Sequence, residues 1–302
     1  MNDKRRNYNM NRRLISICTS LLLLSALVSA CGGASKPNAS ASPEASAIVP
    51  ETTATVSPSA SSEPSPSEST PAESTPPTSA EPEPTPVEKA YRMNKNYFIV
   101  PIDKETTNNK VVLLTFDDGP KAPETLDPLL DTLDKHQAKA IFFVNGYRVK
   151  ANPELLKKID ERGQPIGNHS WDHIDLKKEK APKIKEQIEG VQEIVKETVG
   201  KAPVFFRPPF GASNDSVRQI AKDNGLLFMT WSNGSLDWDM NKLAEDKRPQ
   251  TVIDNVLEQL HPGSNILMHE LPWTAKALDD LLTQLEDKGY SFVDPNAIDI
   301  EL

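Results

Sequence analysis

The chain has 302 residues, a formal net charge of −9 and a pI near 5.2, with 37% hydrophobic and 25% charged residues. That acidity, with no basic cluster past the first residues, argues against a nucleic-acid partner, which phosphate neutralisation would require. Composition shifts so sharply along the chain that length alone is no guide to its domain number.

The N-terminal stretch carries Lys4, Arg5, Arg6, Arg12 and Arg13, then an apolar run centred on Leu21, Leu22, Leu23 and Leu24. The run is short for a membrane span and has the layout of a secretory signal. Val28-Ser29-Ala30-Cys31 resembles a bacterial lipobox, so residues 1–31 are expected to be a lipoprotein signal with Cys31 lipidated. Lipid chains there would anchor the protein to the bacterial cell membrane on its extracytoplasmic side without spanning it. The alternative is an ordinary cleaved signal with an incidental cysteine. Only two cysteines exist, and Cys18 lies within the signal, so no disulfide is expected in the mature chain.

Residues 32–89 are built mostly from Ser, Pro, Thr, Ala and Glu, as in Ser57-Pro58-Ser59-Ala60. Such a segment lacks the apolar surface to offset its ordering entropy, and a disordered linker is expected. A coil of its size has a reach of order 40 Å, which suits a tether into the cell wall.

Residues 90–302 read as one α/β domain. Val111 to Phe116 is an expected buried strand, Glu124 to His136 a helix, Ala140 to Val144 a strand, and Pro153 to Arg162 a helix closed by Gly163. Lys183 to Val199 is a long charged helix with Ile184, Ile188, Val191, Ile194 and Val195 on one face. Val204-Phe205-Phe206 leads into Arg207, and Asp215 to Asn224 is a helix. Leu226 to Trp231, Asn265 to Met268 and Tyr290 to Val293 are strands, separated by helices at Thr251 to Leu260 and Ala275 to Lys288. Strand–helix alternation with continuously apolar strands predicts a mostly parallel sheet with helices outside. Asp117, Asp118, Arg207, Asp237 and His269 lie just after expected strand ends, where parallel α/β folds place their chemistry.

Several short motifs carry that chemistry. In Asp117-Asp118-Gly119-Pro120 two adjacent carboxylates repel each other unless a cation shares the site, although such a run is commonly just a turn. His169 and His173, four residues apart, can face one side of a turn and bind one metal, or can be two surface histidines. Ser170 stands where the zinc-protease motif has its glutamate, so any general base must come from elsewhere. Arg207-Pro208-Pro209-Phe210-Gly211 is stiffened by its prolines. Ser235-Leu236-Asp237-Trp238 and Leu267-Met268-His269 complete the set. Trp231 and Trp238 fit either a sugar-stacking groove or the core. His136 and His261 match no motif and are expected to be solvated.

The ordered set resembles the polysaccharide deacetylases of carbohydrate esterase family 4, which carry the NodB homology domain. The likeness runs from about Lys110 to Val293, including the lead-in from Gly163 to Asn168. It implies a distorted (β/α) barrel of about seven strands. It assigns Asp118, His169 and His173 to one divalent metal ion, zinc by default, with cobalt or manganese also accommodated. It makes Asp117 the general base, Arg207 its partner, and His269 the acid oriented by Asp237. Phe210, through its backbone N–H, Trp238 and Leu267 become substrate-binding positions. Two departures stand out: Gly234 occupies a position the family usually fills with Asp, and Phe210 one often filled with Tyr.

The implied activity is metal-dependent removal of N-acetyl groups from a polysaccharide. Peptidoglycan amino sugars are expected first, then chitin-like oligosaccharides or poly-N-acetylglucosamine. An O-acetyl-xylan esterase, an inactive glycan-binding module on the same fold and a solute-binding lipoprotein are the alternatives. A monomer is expected.

Overall fold

The computed structural model describes residues 87–301. The expected signal, Cys31 and nearly all of the expected linker lie outside the described residues.

An antiparallel pair, β1 (Tyr91–Met93) and β2 (Ile99–Pro101), precedes the main sheet. The chain continues through β3 (Val111–Gly119), α1 (Pro123–Lys135), β4 (Ala140–Val144), α2 (Gly146–Ala151), α3 (Pro153–Glu161) and β5 (Ile166–Asn168). It goes on through α4 (Ala181–Val199), β6 (Phe205–Phe206), α5 (Asp215–Asp223), β7 (Leu227–Phe228) and β8 (Asn233–Gly234). It finishes with α6 (Arg248–Glu258), β9 (Ser264–His269), α7 (Pro272–Asp287) and β10 (Ser291–Phe292).

The main sheet is parallel throughout and follows the order β7-β6-β5-β4-β3-β9-β8, with β10 pairing the start of β3 off that path. These seven strands curl into a half-barrel, in agreement with the expected α/β class. Among the described residues β7 and β8 are not hydrogen-bonded to each other, so the barrel stays open on that side.

Strand alternation divides the core in two. In β3, Val112, Leu114 and Phe116 pack beneath the helices with Leu126, Leu129, Leu278 and Leu282. Val111 and Leu113 turn inward to meet Ile141, Phe143, Phe205 and Met229. A sheet covered on both faces has apolar residues at successive positions, which is why β3 and β4 show no polar alternation until their ends.

Helices α4, α6 and α7 begin a few residues before their expected starts, each with a proline in the first turn. Proline is compatible there because the first-turn N–H groups have no intrahelical acceptor to lose. The strands expected at Leu226 to Trp231 and Tyr290 to Val293 shrink to two paired residues each.

Candidate active site

The period of two that sorts the core also delivers the polar residues. Beyond Val111 and Leu113, the inner face of β3 continues with Thr115 and Asp117. On β9, Ile266 and Met268 pack under the helices, so Asn265, Leu267 and His269 turn inward. The register sets Asp117 beside His269 and Thr115 beside Leu267.

Arg207, directly after β6, is wholly buried. Its Nη1 donates to Asp117 Oδ1 at 2.7 Å and to Thr115 Oγ1 at 2.8 Å. Its Nη2 donates to the Thr230 carbonyl at 2.9 Å and Asn265 Oδ1 at 3.2 Å, and the guanidinium lies 4.3 Å from the centre of the Phe143 ring. Burial pulls the guanidinium's pKa down and Asp117 opposes it. A buried cation is tolerable because acceptors surround it. Asp117, itself 3% exposed, is thereby fixed at the floor of the cavity.

Asp118, His169 and His173 converge on one point, each offering a ligand atom within 4.8 Å of the others. Asp118 Oδ1 lies 3.1 Å from His173 Nε2 and 3.5 Å from His169 Nε2. His169 Nδ1 meets the Arg207 carbonyl at 2.7 Å. That ring nitrogen must therefore carry the proton and donate it, which leaves Nε2 with a free lone pair. Burial pulls the pKa of His169 down and favours the neutral, ligating ring, against the neighbouring Asp117 and Asp118. Burial works against charge on Asp118, but His173 and His169 outweigh it and hold its carboxyl well below the usual range. One carboxylate and two imidazoles with free lone pairs fit a divalent cation of the zinc type, and three protein ligands leave room for water or substrate.

Across the cavity, His269 Nδ1 meets Asp237 Oδ1 at 2.7 Å. Asp237 is fully buried; its Oδ2 accepts from Thr274 Oγ1 and from the His269 backbone N–H, both at 2.7 Å. The Trp273 indole donates to the Asp237 carbonyl at 2.9 Å. Burial lowers the pKa of His269, but Asp237, with Asp117 and Asp118 beside it, more than compensates and the net shift is upward.

Asp117, Asp118, His169, His173 and His269 surround a cavity of about 340 Å³ whose remaining walls are Phe210, Trp231, Trp238 and Leu267. Trp238 presents an edge to His269 and is 41% exposed, so it belongs to the groove and not to the core. Phe210, 65% exposed, meets His173 edge-on. Among the described residues, seven non-glycine residues have positive φ, and Asp118, Ser170, His173, Phe210 and Leu236 are five of them. Left-handed backbone at such residues costs roughly 1–2 kcal/mol each and clusters at functional sites.

Every expected site residue within the described part thus reaches one cavity or the layer directly behind it. Gly234 raises no obstacle: its backbone pairs with Leu267 and is gripped by the Gln259 amide, and a Cβ there would meet only ordinary contacts.

Two expectations are corrected. The His136 side chain is only 7% exposed and bridges Asp279 and Glu286 of α7. His261 stacks on Phe98 at 4.0 Å and approaches the Ser232 carbonyl. Neither ring stands free in solvent; each is partly buried and ties separate segments together.

The motifs also miss Glu270, which is 1% exposed. Its Oε1 accepts from the backbone N–H of Lys121 and Ala122 and from Thr125 Oγ1. It ties the end of β9 to the loop that follows Asp118. A Cβ at Gly119 would lie 2.6 Å from Glu270 Oε2, so any larger residue there would push the carboxylate aside. Burial raises the Glu270 carboxyl's pKa against those donors. Its only sequence signal is its place directly after His269.

Residues 104–229 match the family described as Polysaccharide deacetylase. Over 217 residues the chain is 36% identical to the peptidoglycan-N-acetylmuramic acid deacetylase PdaC of Bacillus subtilis, covering 68% of this chain and 44% of that protein. It is 38% identical over 222 residues to the peptidoglycan-N-acetylglucosamine deacetylase PgdA of Listeria monocytogenes, covering 70% and 46% respectively. The chain therefore spans less than half the length of these curated relatives. The solved structure of PdaC superposes with a TM-score of 0.55 at 36% identity, over 62% of this chain and 88% of that one. BA3943 of Bacillus anthracis, a CE4 family pseudoenzyme, superposes with a TM-score of 0.57 at 32% identity, over 61% and 63%.

Proposed function

The chain belongs to the polysaccharide deacetylase family, carbohydrate esterase family 4, and from that premise we propose that it removes N-acetyl groups from cell-wall polysaccharide with the help of a divalent metal. The observation that carries this reading is the convergence of Asp118, His169 and His173 on one point, with Asp117 and His269 on the same cavity. Zinc is the expected ion. It would be held by those three residues and would supply Lewis acidity toward the acetyl carbonyl and the attacking water.

The chain's own groups divide the remaining tasks. Asp117, immobilised by Arg207, takes the proton of the attacking water. The Phe210 backbone N–H contributes to stabilising the developing oxyanion. The sugar amine is a poor leaving group until protonated, and His269, held by Asp237, supplies that proton. Trp238, Phe210 and Leu267 line the cavity for the sugar, with the Trp238 face suited to stacking.

The wall setting belongs to the same proposal. Residues 1–31 export the protein, lipidated Cys31 anchors it to the bacterial membrane, and residues 32–89 tether the catalytic domain of residues 90–302. Peptidoglycan is then the first acetylated polymer within reach. An inactive glycan-binding role is the competing reading, since BA3943 is a pseudoenzyme with a similar fold. Acetate release from peptidoglycan, from N-acetylglucosamine oligomers and from acetylated xylan separates the possibilities. Release from the amides, and faster than from the ester, supports the proposal. Release from xylan alone overturns the amide assignment, and binding without release supports the inactive module.

A further inference from the structure

Beside the main cavity lies a smaller recess of about 180 Å³, walled by Lys121, Asn241, Leu271 and Trp273 and sharing Asp118, Trp238 and His269 with it. Lys121 is its cationic group. The carboxylates nearby are already committed: Asp118 to His169 and His173, Asp237 to His269 and Thr274. Glu270 accepts from the backbone N–H of Lys121, and not from its ammonium. Among the described residues Lys121 has no ion-pair partner. A half-buried ammonium costs free energy unless an anion answers it. Burial pulls its pKa down and the nearby Arg148 adds to that, while Asp118, Glu270 and Asp237 oppose from a distance; an incoming carboxylate would strengthen the opposition. Arg148 is a second cation in this neighbourhood, and its Nε is buried without a hydrogen-bond partner.

The substrate's chemistry gives this recess a use. In a 2-acetamido sugar, the carbon next to the one bearing the amide carries O3. An acid attached through O3 therefore lies only a few bonds from the amide to be cleaved. A cation that reads such an acid must sit in a recess continuous with the catalytic cavity, and Lys121 does. The two wall relatives named above are deacetylases of these two sugars, one muramyl and one glucosaminyl.

Resting on the proposed deacetylase activity, we propose that Lys121 and its recess form an anion subsite that selects an acetamido sugar bearing a free carboxylate at O3 over the neutral sugar. Asn241 offers an amide for the same group, and Trp273 and Trp238 provide the apolar sides of the recess.

The test uses the full zinc-loaded chain and glycans of equal length. One is a neutral N-acetylglucosamine oligomer, one carries free O3-linked acids, one has those acids capped as methyl amides, and one has them amide-linked to a peptide. Calorimetric affinity and acetate release are measured on each. The free-acid glycan is expected to bind about tenfold more tightly than the capped one, the scale of one charge-assisted hydrogen bond screened at a partly open site. Lys121→Gln should erase that preference and leave zinc affinity and kcat/KM on the neutral oligomer unchanged. Lys121→Arg should keep most of it. Equal affinity for free and capped glycans, or a preference that survives in Lys121→Gln, overturns the subsite. Peptide-linked glycan binding as tightly as the free acid would place the carboxylate in the peptide and overturn the O3 assignment. Absence of turnover on every glycan with the preference intact would overturn the hydrolytic reading but support the subsite.

Discussion

Asp237 holds His269 by two separate bonds: Oδ1 meets the ring at Nδ1 and Oδ2 accepts the backbone N–H of the same residue, each at 2.7 Å. The second bond fixes where the strand ends and the first fixes how the ring turns, leaving Nε2 as the nitrogen for proton transfer. Burial works against the charge, but Asp237, Asp117 and Asp118 together outweigh it, so the folded-state pKa of His269 lies above the ordinary imidazole value. Its imidazolium therefore survives to higher pH than in a free histidine, for which the pKa is about 6.5. The linked stability is fully present below the unfolded pKa and is lost as pH rises through the raised folded one.

The pH–rate profile should follow. The alkaline limb of kcat for N-acetyl substrates is expected above the free-imidazole range. Asp237→Asn should move that limb to lower pH and reduce kcat by about 100-fold, the usual scale for an acid–base contribution. A limb unmoved in Asp237→Asn would remove His269 from the acid's role.

Asp117 and Asp118 are neighbours with different tasks, and two variants separate them. Asp118→Ala removes a ligand and should abolish both zinc binding and turnover. Asp117→Asn should retain zinc in a calorimetric titration and lose turnover. Full activity in either variant contradicts the assignment.

Arg207 has its charge answered from both sides of the barrel. Arg207→Met would leave Asp117 buried without its cation and should lower unfolding free energy by about 3–5 kcal/mol. Urea titration checks this. Arg207→Lys should recover only part, since a single ammonium reproduces neither the fork nor its spread of acceptors.

Glu270 clasps the loop after Asp118. Glu270→Ala strands the backbone N–H groups of Lys121 and Ala122, while Thr125 keeps the Ala122 carbonyl, and should cost about 1–3 kcal/mol. It should also weaken zinc binding, because the loop bearing Asp118 loses its tie to β9. Unchanged zinc affinity in a destabilised variant would restrict Glu270 to the fold alone.

The site was more legible than the frame that holds it. Asp117, Arg207 and His269 each follow an apolar run, so chemistry and strand end announce each other. Thr115, Asn265 and Glu270 were hidden because a lone polar residue in a buried run looks like any satisfied core group, and its partners come from distant strands. The strands β5 and β8 pair over three and two residues, too few for a period to register, while those expected at Leu226 to Trp231 and Tyr290 to Val293 pair over two each. The early starts of α4, α6 and α7 were missed because proline reads as a breaker until its place in the first turn is known. His136 and His261 read as solvated for a related reason: Asp279 and Phe98, which they contact, lie far off in sequence.

The most direct test of the central claim is acetate release from peptidoglycan by the full chain, measured after chelation and again after zinc is restored. Almost no release is expected from the chelated protein, with recovery on adding zinc and none in Asp118→Ala. Undiminished release from metal-free protein, or equal recovery in Asp118→Ala, would contradict that claim.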